Sequence, residues 1–175
     1  MNQSAHLLTR RNFVGLAGVG LAAAPAAFGT DAAFGADEEA PALKSELLFT
    51  IHAQVELPQQ IGATPQGNRQ IFYAKGGTFE GPKLKGKALA GGGDWLLVRP
   101  DGIAEVDVRA TLQTDDGALI YTRYKGLIDS TTGYFRTTPR FETAAEKYSW
   151  LNKIIAVGVG RSEGGQVVYD VFQIL

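Results

Sequence analysis

The sequence predicts an all-β fold, a single antiparallel β-barrel of about eight to ten strands, on three observations. Residues 47–57, LLFTIHAQVEL, put Leu47, Phe49, Ile51, Ala53, Val55 and Leu57 on one face and Thr50, His52, Gln54 and Glu56 on the other, the period of two expected of a strand with one buried side. The same alternation returns in short runs divided by turn-forming residues, such as Pro100-Asp101-Gly102 and Gly164-Gly165. No long segment carries the helical period that parallel crossovers need, so the strands must pair antiparallel in a barrel or a sandwich. A barrel is preferred because strands of up to eleven residues would otherwise leave long unpaired edges.

In chain order, strands are expected at 47–57, 69–75, 94–99, 103–113, 118–126, 133–138, 149–159 and 166–174. The stretch TAAEKY alone reads as helical, with Thr143 placed to cap and Glu146 three residues on, as in a capping box. The glycines of GGTFEGPKLKGKALAGGGDW fit tight turns and close strand approach. They do not form a phosphate loop, because Gly86-Lys87-Ala88 lacks the following hydroxyl and helix.

The N-terminus differs from the rest. TRRNFVGLAGVGLAAAPAAFG sets Arg10 and Arg11 before Phe13 and an apolar Gly/Ala run ending in small residues, which resembles a twin-arginine signal for export of folded proteins. Leu16–Phe28 is too short to span about 30 Å of hydrocarbon. The expectation is a signal peptide over 1–36, a flexible lead-in over 37–46, a barrel over 47–175, a periplasmic location and no stable membrane insertion after signal removal.

The 175 residues carry 17 basic and 18 acidic groups; removing Arg10, Arg11 and Asp31 with the leader leaves 15 against 17. A near-neutral chain has no electrostatic basis for binding nucleic acid. There is no cysteine, which excludes thiol nucleophiles, zinc ribbons and iron–sulfur clusters. His52 is the one histidine after the leader, so neither a metal site nor a serine triad is expected. A partly apolar outer face would permit a homo-oligomer, although no apolar stripe specifies one.

The charged residues concentrate in EVDVRATLQTDDGALIYTR, residues 105–123. Asp115-Asp116-Gly117 suits a three-residue hairpin connection, which sets Arg109 opposite Arg123 and Thr111 opposite Tyr121. Glu105, Asp107, Arg109, Tyr121 and Arg123 then share one face, while Val108, Ala110, Leu112, Ile120, Thr122 and Tyr124 share the other. The polar face could be the wet side of a half-buried sheet or the lining of a pocket; alternation alone does not distinguish them. Elsewhere, Tyr134 with Arg136, and Tyr148, Trp150 and Asn152, pair aromatic with polar groups at period two, as a pocket wall or a core aromatic would.

The ordered motifs GGTFEGP, GGGDW, DVR, DDGALI and WLN resemble the family known as domain of unknown function 3237, over about residues 47–175. The resemblance implies a compact barrel similar in outline to allene oxide cyclase and dirigent proteins, and shared polar positions at Asp94, Trp95, Asp107, Arg109, Trp150 and Asn152. The expected function is binding of a small oxygenated metabolite, either as a cofactor-free lyase, isomerase or cyclase or as a non-catalytic periplasmic carrier. In the first case Asp107, or else Glu105, would act as general acid or base with Arg109 beside it. Asp94, Trp95, Tyr121, Arg123, Tyr134, Arg136, Trp150 and Asn152 would contact the ligand.

Overall fold

The computed structural model describes residues 42–175. The expected leader and the first half of the lead-in, residues 37–41, lie outside the described residues.

Twelve strands form one antiparallel sheet: β1 (Ser45–Val55), β2 (Gln59–Thr64), β3 (Gly67–Glu80), β4 (Lys85–Ala88), β5 (Gly93–Asp94), β6 (Leu97–Val98), β7 (Ala104–Thr114), β8 (Leu119–Asp129), β9 (Tyr134–Thr137), β10 (Arg140–Glu142), β11 (Ala156–Glu163) and β12 (Gln166–Ile174). The pairing runs β8-β9-β11-β12-β1-β3-β4-β7 and returns from β7 to β8, so the sheet closes on itself as an eight-strand barrel with extra strands. Closure removes the edges that eleven- to fourteen-residue strands would otherwise expose.

Two positions around the barrel are filled by broken strands. Between β3 and β7 the chain runs as β4, then β5, then β6, each short piece bonded to both neighbours. Beside β8, β9 gives way at Pro139 to β10. Proline cannot donate to a ladder, which accounts for the second break.

The β7–β8 hairpin adopts the expected register, with Arg109 opposite Arg123, Thr111 opposite Tyr121 and Leu112 opposite Ile120. Its connection closes through Gly117 N–H to Thr114 C=O at 2.8 Å, and Thr114 N–H to Ala118 C=O at 3.0 Å, with Gly117 at φ +87°. That left-handed conformation is nearly free for glycine and strained for other residues.

Three expectations are corrected. Residues 146–153 form a 3₁₀ helix, so Tyr148, Trp150 and Asn152 do not share a strand face, and β11 begins only at Ala156. Thr143 does not cap this helix as in a capping box. Its hydroxyl donates to Leu119 C=O and accepts from Ala145 N–H, while the Asn152 amide bonds both main-chain groups of Thr143 at 2.9 Å. In β1 a bulge between Leu47 and Phe49 turns Leu48 into the core, fully buried, and Leu57 is exposed beyond the strand end.

The core is packed at one end of the barrel. Leu48, Phe49, Phe79, Leu112, Ile120 and Phe141 fill it from the strands, Leu84 from the β3–β4 connection, and Tyr148 and Leu151 of the 3₁₀ helix pack against them. Phe49 meets Phe79 and Phe141 with ring centroids 5.3 and 6.1 Å apart. The helix is tethered to the hairpin turn. Asp116 accepts from Lys147, from Thr114 and from the Tyr148 hydroxyl, the last at 3.1 Å. The Lys147 ammonium, helped by Thr114, holds the Asp116 carboxyl well below its usual range.

Candidate functional site

The other end of the barrel is hollow. Beyond Phe49 the inward positions of β1 are Ile51, Ala53 and Val55, and those of β7 are Val108 and Ala110. They surround a cavity of about 280 Å³ that also reaches Phe72, Leu96, Ile128 and Phe135. The small size of Ala53, Ala74, Ala88, Ala110 and Gly93 leaves this space open where bulky residues fill the opposite end. On β11, Gly160 lies under the Phe135 ring, where a Cβ would stand 2.6 Å from the ring carbons, so only glycine lets that ring lie flat on the wall. Phe135 in turn packs edge-on against Tyr169, centroids 5.0 Å apart, and Tyr169 against Tyr124 at 5.6 Å.

Into this mostly apolar space projects one carboxylate, Asp94. The broken strand is what places it there. β5 is a two-residue piece in which Gly93 and Asp94 pair with Tyr73 and Phe72 on one side and with Arg109 and Val108 on the other. Asp94 and Leu96 face the cavity, while Trp95 turns outward under the Arg109 guanidinium at 5.4 Å. The interruption frees the Asp107 main-chain N–H, which donates to Asp94 Oδ1 at 2.9 Å.

Burial pushes the Asp94 carboxyl up to about 6. The Asp107 N–H opposes the rise, the Asp107 charge adds to it and the Arg69 charge opposes it. Tyr124 and Tyr169 line the same cavity, and burial raises both phenols well above the ordinary range, so each stays a neutral hydroxyl across physiological pH. The cavity thus offers a carboxyl group able to hold or release a proton near neutrality, two hydroxyls and an apolar enclosure. Among the described residues no three His, Asp or Glu side chains converge as metal ligands would.

The residues singled out from sequence fall in four places. Asp94 alone lines the cavity. Glu105, Asp107, Arg109, Tyr121 and Arg123 stand together on the outer face of β7 and β8, with Asp107 ion-paired to Arg109 at 3.2 Å and Glu105 to Arg99 at 3.2 Å. Trp95 borders this outer face, in a shallow groove with Arg69 and Lys125. Tyr134 and Arg136 lie on β9, where the guanidinium covers the exposed Tyr134 ring at 5.1 Å. Trp150 packs on the closed end beneath Lys83, and Asn152 is bound to Thr143. His52 is exposed on the outer side of β1.

Tyr124 and Tyr169 were not among the expected site residues. Both carry a usable signal, since each stands on an inward face of mostly apolar residues: Ile120, Thr122 and Tyr124 on β8, and Val167, Tyr169 and Val171 on β12.

The barrel is thus closed and antiparallel, packed at one end and lined at the other by a cavity that holds one largely buried carboxylate. The chain belongs to the DUF3237 family of proteins of unknown function, whose model matches residues 43–174. It is 32% identical over 151 residues to a UPF0311 protein of Rhodopseudomonas palustris, covering 77% of this chain and 99% of that one. A β-barrel-like protein of Acinetobacter baumannii, solved as a crystal structure, superposes with a TM-score of 0.73 at 37% identity, covering 78% of this chain and 99% of the other. A hydroalkoxylation enzyme of Penicillium herquei, phnH, is 34% identical over 84 residues, 47% of this chain and 51% of that enzyme.

Proposed function

We propose that the hollow end binds a small, largely apolar oxygenated molecule and that Asp94 acts there as a cofactor-free general acid and base. The observation that carries this reading is a lone carboxylate in an apolar chamber, pushed up to about 6 and therefore able to exchange a proton at neutral pH. The acid/base role assigned from sequence to Asp107 passes to Asp94, because the Asp107 side chain stands on the outer face beside Arg109.

The similarity to a hydroalkoxylation enzyme suggests the reaction type, addition of a hydroxyl across a carbon–carbon double bond or its reversal. In the forward direction the protonated Asp94 carboxyl gives its proton to one alkene carbon. The substrate hydroxyl oxygen bonds to the other carbon, and its proton passes to the Asp94 carboxylate. One C–H and one C–O bond form, one O–H and the π bond break, and Asp94 ends protonated as it began. Tyr124 and Tyr169 would orient the oxygen by hydrogen bonding. The leader adds that this chamber works after export by the twin-arginine route.

The test is a panel of hydroxylated alkenes and their cyclic ethers, screened for thermal stabilisation and for turnover. Ala74→Phe, which fills the chamber, should abolish stabilisation, and Asp94→Asn should keep it while losing turnover. Binding unaffected by Ala74→Phe would remove the chamber from consideration. Binding lost in Ala74→Phe, with no chemistry on any bound compound, would favour a carrier. Export is checked separately by fractionating cells that carry Arg10→Lys with Arg11→Lys, which should retain the protein in the cytoplasm.

A further inference from the structure

We propose that the outer face of β7, β8 and β10 carries a second, independent site that binds phosphate-type oxyanions, best matched by a small molecule bearing a diphosphate or two neighbouring phosphates. Arg109, Arg123 and Arg140 stand directly abreast on three adjacent strands, Arg109 opposite Arg123 and Arg123 opposite Arg140. Lys125 is the next outward residue of β8 and lies opposite Asp107. A groove of about 330 Å³ runs over these side chains, with Thr138 at its rim.

Like charges placed directly opposite on neighbouring strands destabilise a sheet, so three arginines abreast are a cost that packing does not explain. The acids nearby do not neutralise them. Asp107 is bonded to Arg109 alone, and Glu142 stands one outward position beyond Arg140, opposite Tyr121, without an ion pair. Among the described residues Arg123, Lys125 and Arg140 have neither an ion pair nor a side-chain hydrogen bond. Three cationic side chains therefore face one groove with their donors uncommitted.

Geometry selects the ligand. Adjacent strands lie about 4.8 Å apart, so the row spans roughly 10 Å, enough for two phosphate groups in succession. Guanidinium forks match phosphate oxygens in pairs. Arg109 is already braced between the Trp95 ring and Asp107, which limits the freedom it would lose on binding. The chamber lies on the opposite face of the same strands, and its chemistry is not involved.

Inorganic pyrophosphate is the probe, titrated into the protein by calorimetry at constant ionic strength held with sodium chloride. Arg123→Gln and Arg140→Gln should each weaken binding at least tenfold and together abolish it, while Lys87→Gln, on the outer face of β4, leaves it unchanged. In phosphate-free buffer Arg123→Gln should melt about 2 °C higher than the parent, because the like-charge row is relieved, which also shows that the variant folds. No pyrophosphate binding, or equal binding by Arg123→Gln, would overturn the site. Sedimentation with phosphatidylglycerol vesicles separates the sources of phosphate: protein that pellets with vesicles but ignores pyrophosphate reads a lipid surface and refutes the soluble ligand.

Discussion

The two ends of this barrel use the same strands to opposite purposes, and two aspartates show the difference. At the packed end Asp116 sits in solvent at the hairpin tip, bound by Lys147, Thr114 and Tyr148, and its carboxyl is held as the anion. At the hollow end Asp94 sits among alanines, leucines and tyrosines with one main-chain N–H on its carboxylate, and burial favours its neutral form. The first acid ties a helix over the barrel mouth. The second costs stability and is ready to exchange a proton. A group that destabilises its own fold, at the end where the core is left unfilled, is the usual mark of a site built for something other than folding.

The largest expected effect tests the hollow end. Once a substrate is found, Asp94→Asn should lower turnover by about 10² to 10⁴, the range of general acid–base catalysis, with binding retained, as measured by steady-state kinetics and thermal shift. Asp107→Asn should leave turnover within a few-fold of the parent.

Next comes the packed end. Leu151→Ala removes the side chain that seals the barrel and should cost about 3 kcal/mol in denaturant unfolding, typical of a fully buried leucine. The chamber and its ligand stabilisation should survive, since none of its walls is lost.

The pH dependence of stability contrasts the two acids. The folded protein holds the Asp94 proton more tightly than an unfolded chain does, because the value rises from 3.8 to about 6. The stabilisation tied to that proton is therefore whole below about pH 4 and is lost as pH rises through about 6. Asp94→Asn should be more stable than the parent by about 2 kcal/mol at pH 8, an advantage that disappears near pH 4. Asp116 has the opposite sign. Its depressed value gives stability that is present above about pH 4 and lost as pH falls further, so Asp116→Asn should flatten the acid limb of the same unfolding curve.

The smallest expected effect is inside the packed end. The Thr122 hydroxyl is buried, without a hydrogen-bond partner among the described residues, and borders a void of about 40 Å³. Thr122→Val should raise stability by about 1 kcal/mol, the usual cost of an unsatisfied buried hydroxyl.

Much of the fold could be read from the chain because its long strands alternate cleanly and Asp115-Asp116-Gly117 dictates one register for β7 and β8. The break could not: 94–99 reads as one strand, whereas the chain pairs as β5 and β6 of two residues each, too short to show a period of their own. Residues 149–153 of the 3₁₀ helix read as strand because Tyr148, Trp150 and Asn152 alternate with Ser149 and Leu151, while the helical reading of TAAEKY covers its first turn, 146–148. The buried partner of Tyr148 is Leu151, three residues on, which is the 3₁₀ spacing. For the site, alternation defined two faces of β7 and β8 but not which one was inside. The charges themselves decide it: an eight-strand barrel has room for side chains but little water, and enclosing Glu105, Asp107, Arg109 and Arg123 together would strip all four of hydration. Asp94 escaped that reasoning because it stands alone, and one partly buried carboxylate is affordable where four charges are not.

The most direct measurement is a carbon-detected NMR titration of the Asp94 carboxyl between pH 3 and 9, assigned by comparison with Asp94→Asn. A midpoint near 6, moving when a ligand enters the chamber, is the predicted result. A midpoint near the ordinary 3.8 would mean that water reaches Asp94 freely, and the hollow end would then hold no carboxyl group poised for acid–base chemistry at neutral pH.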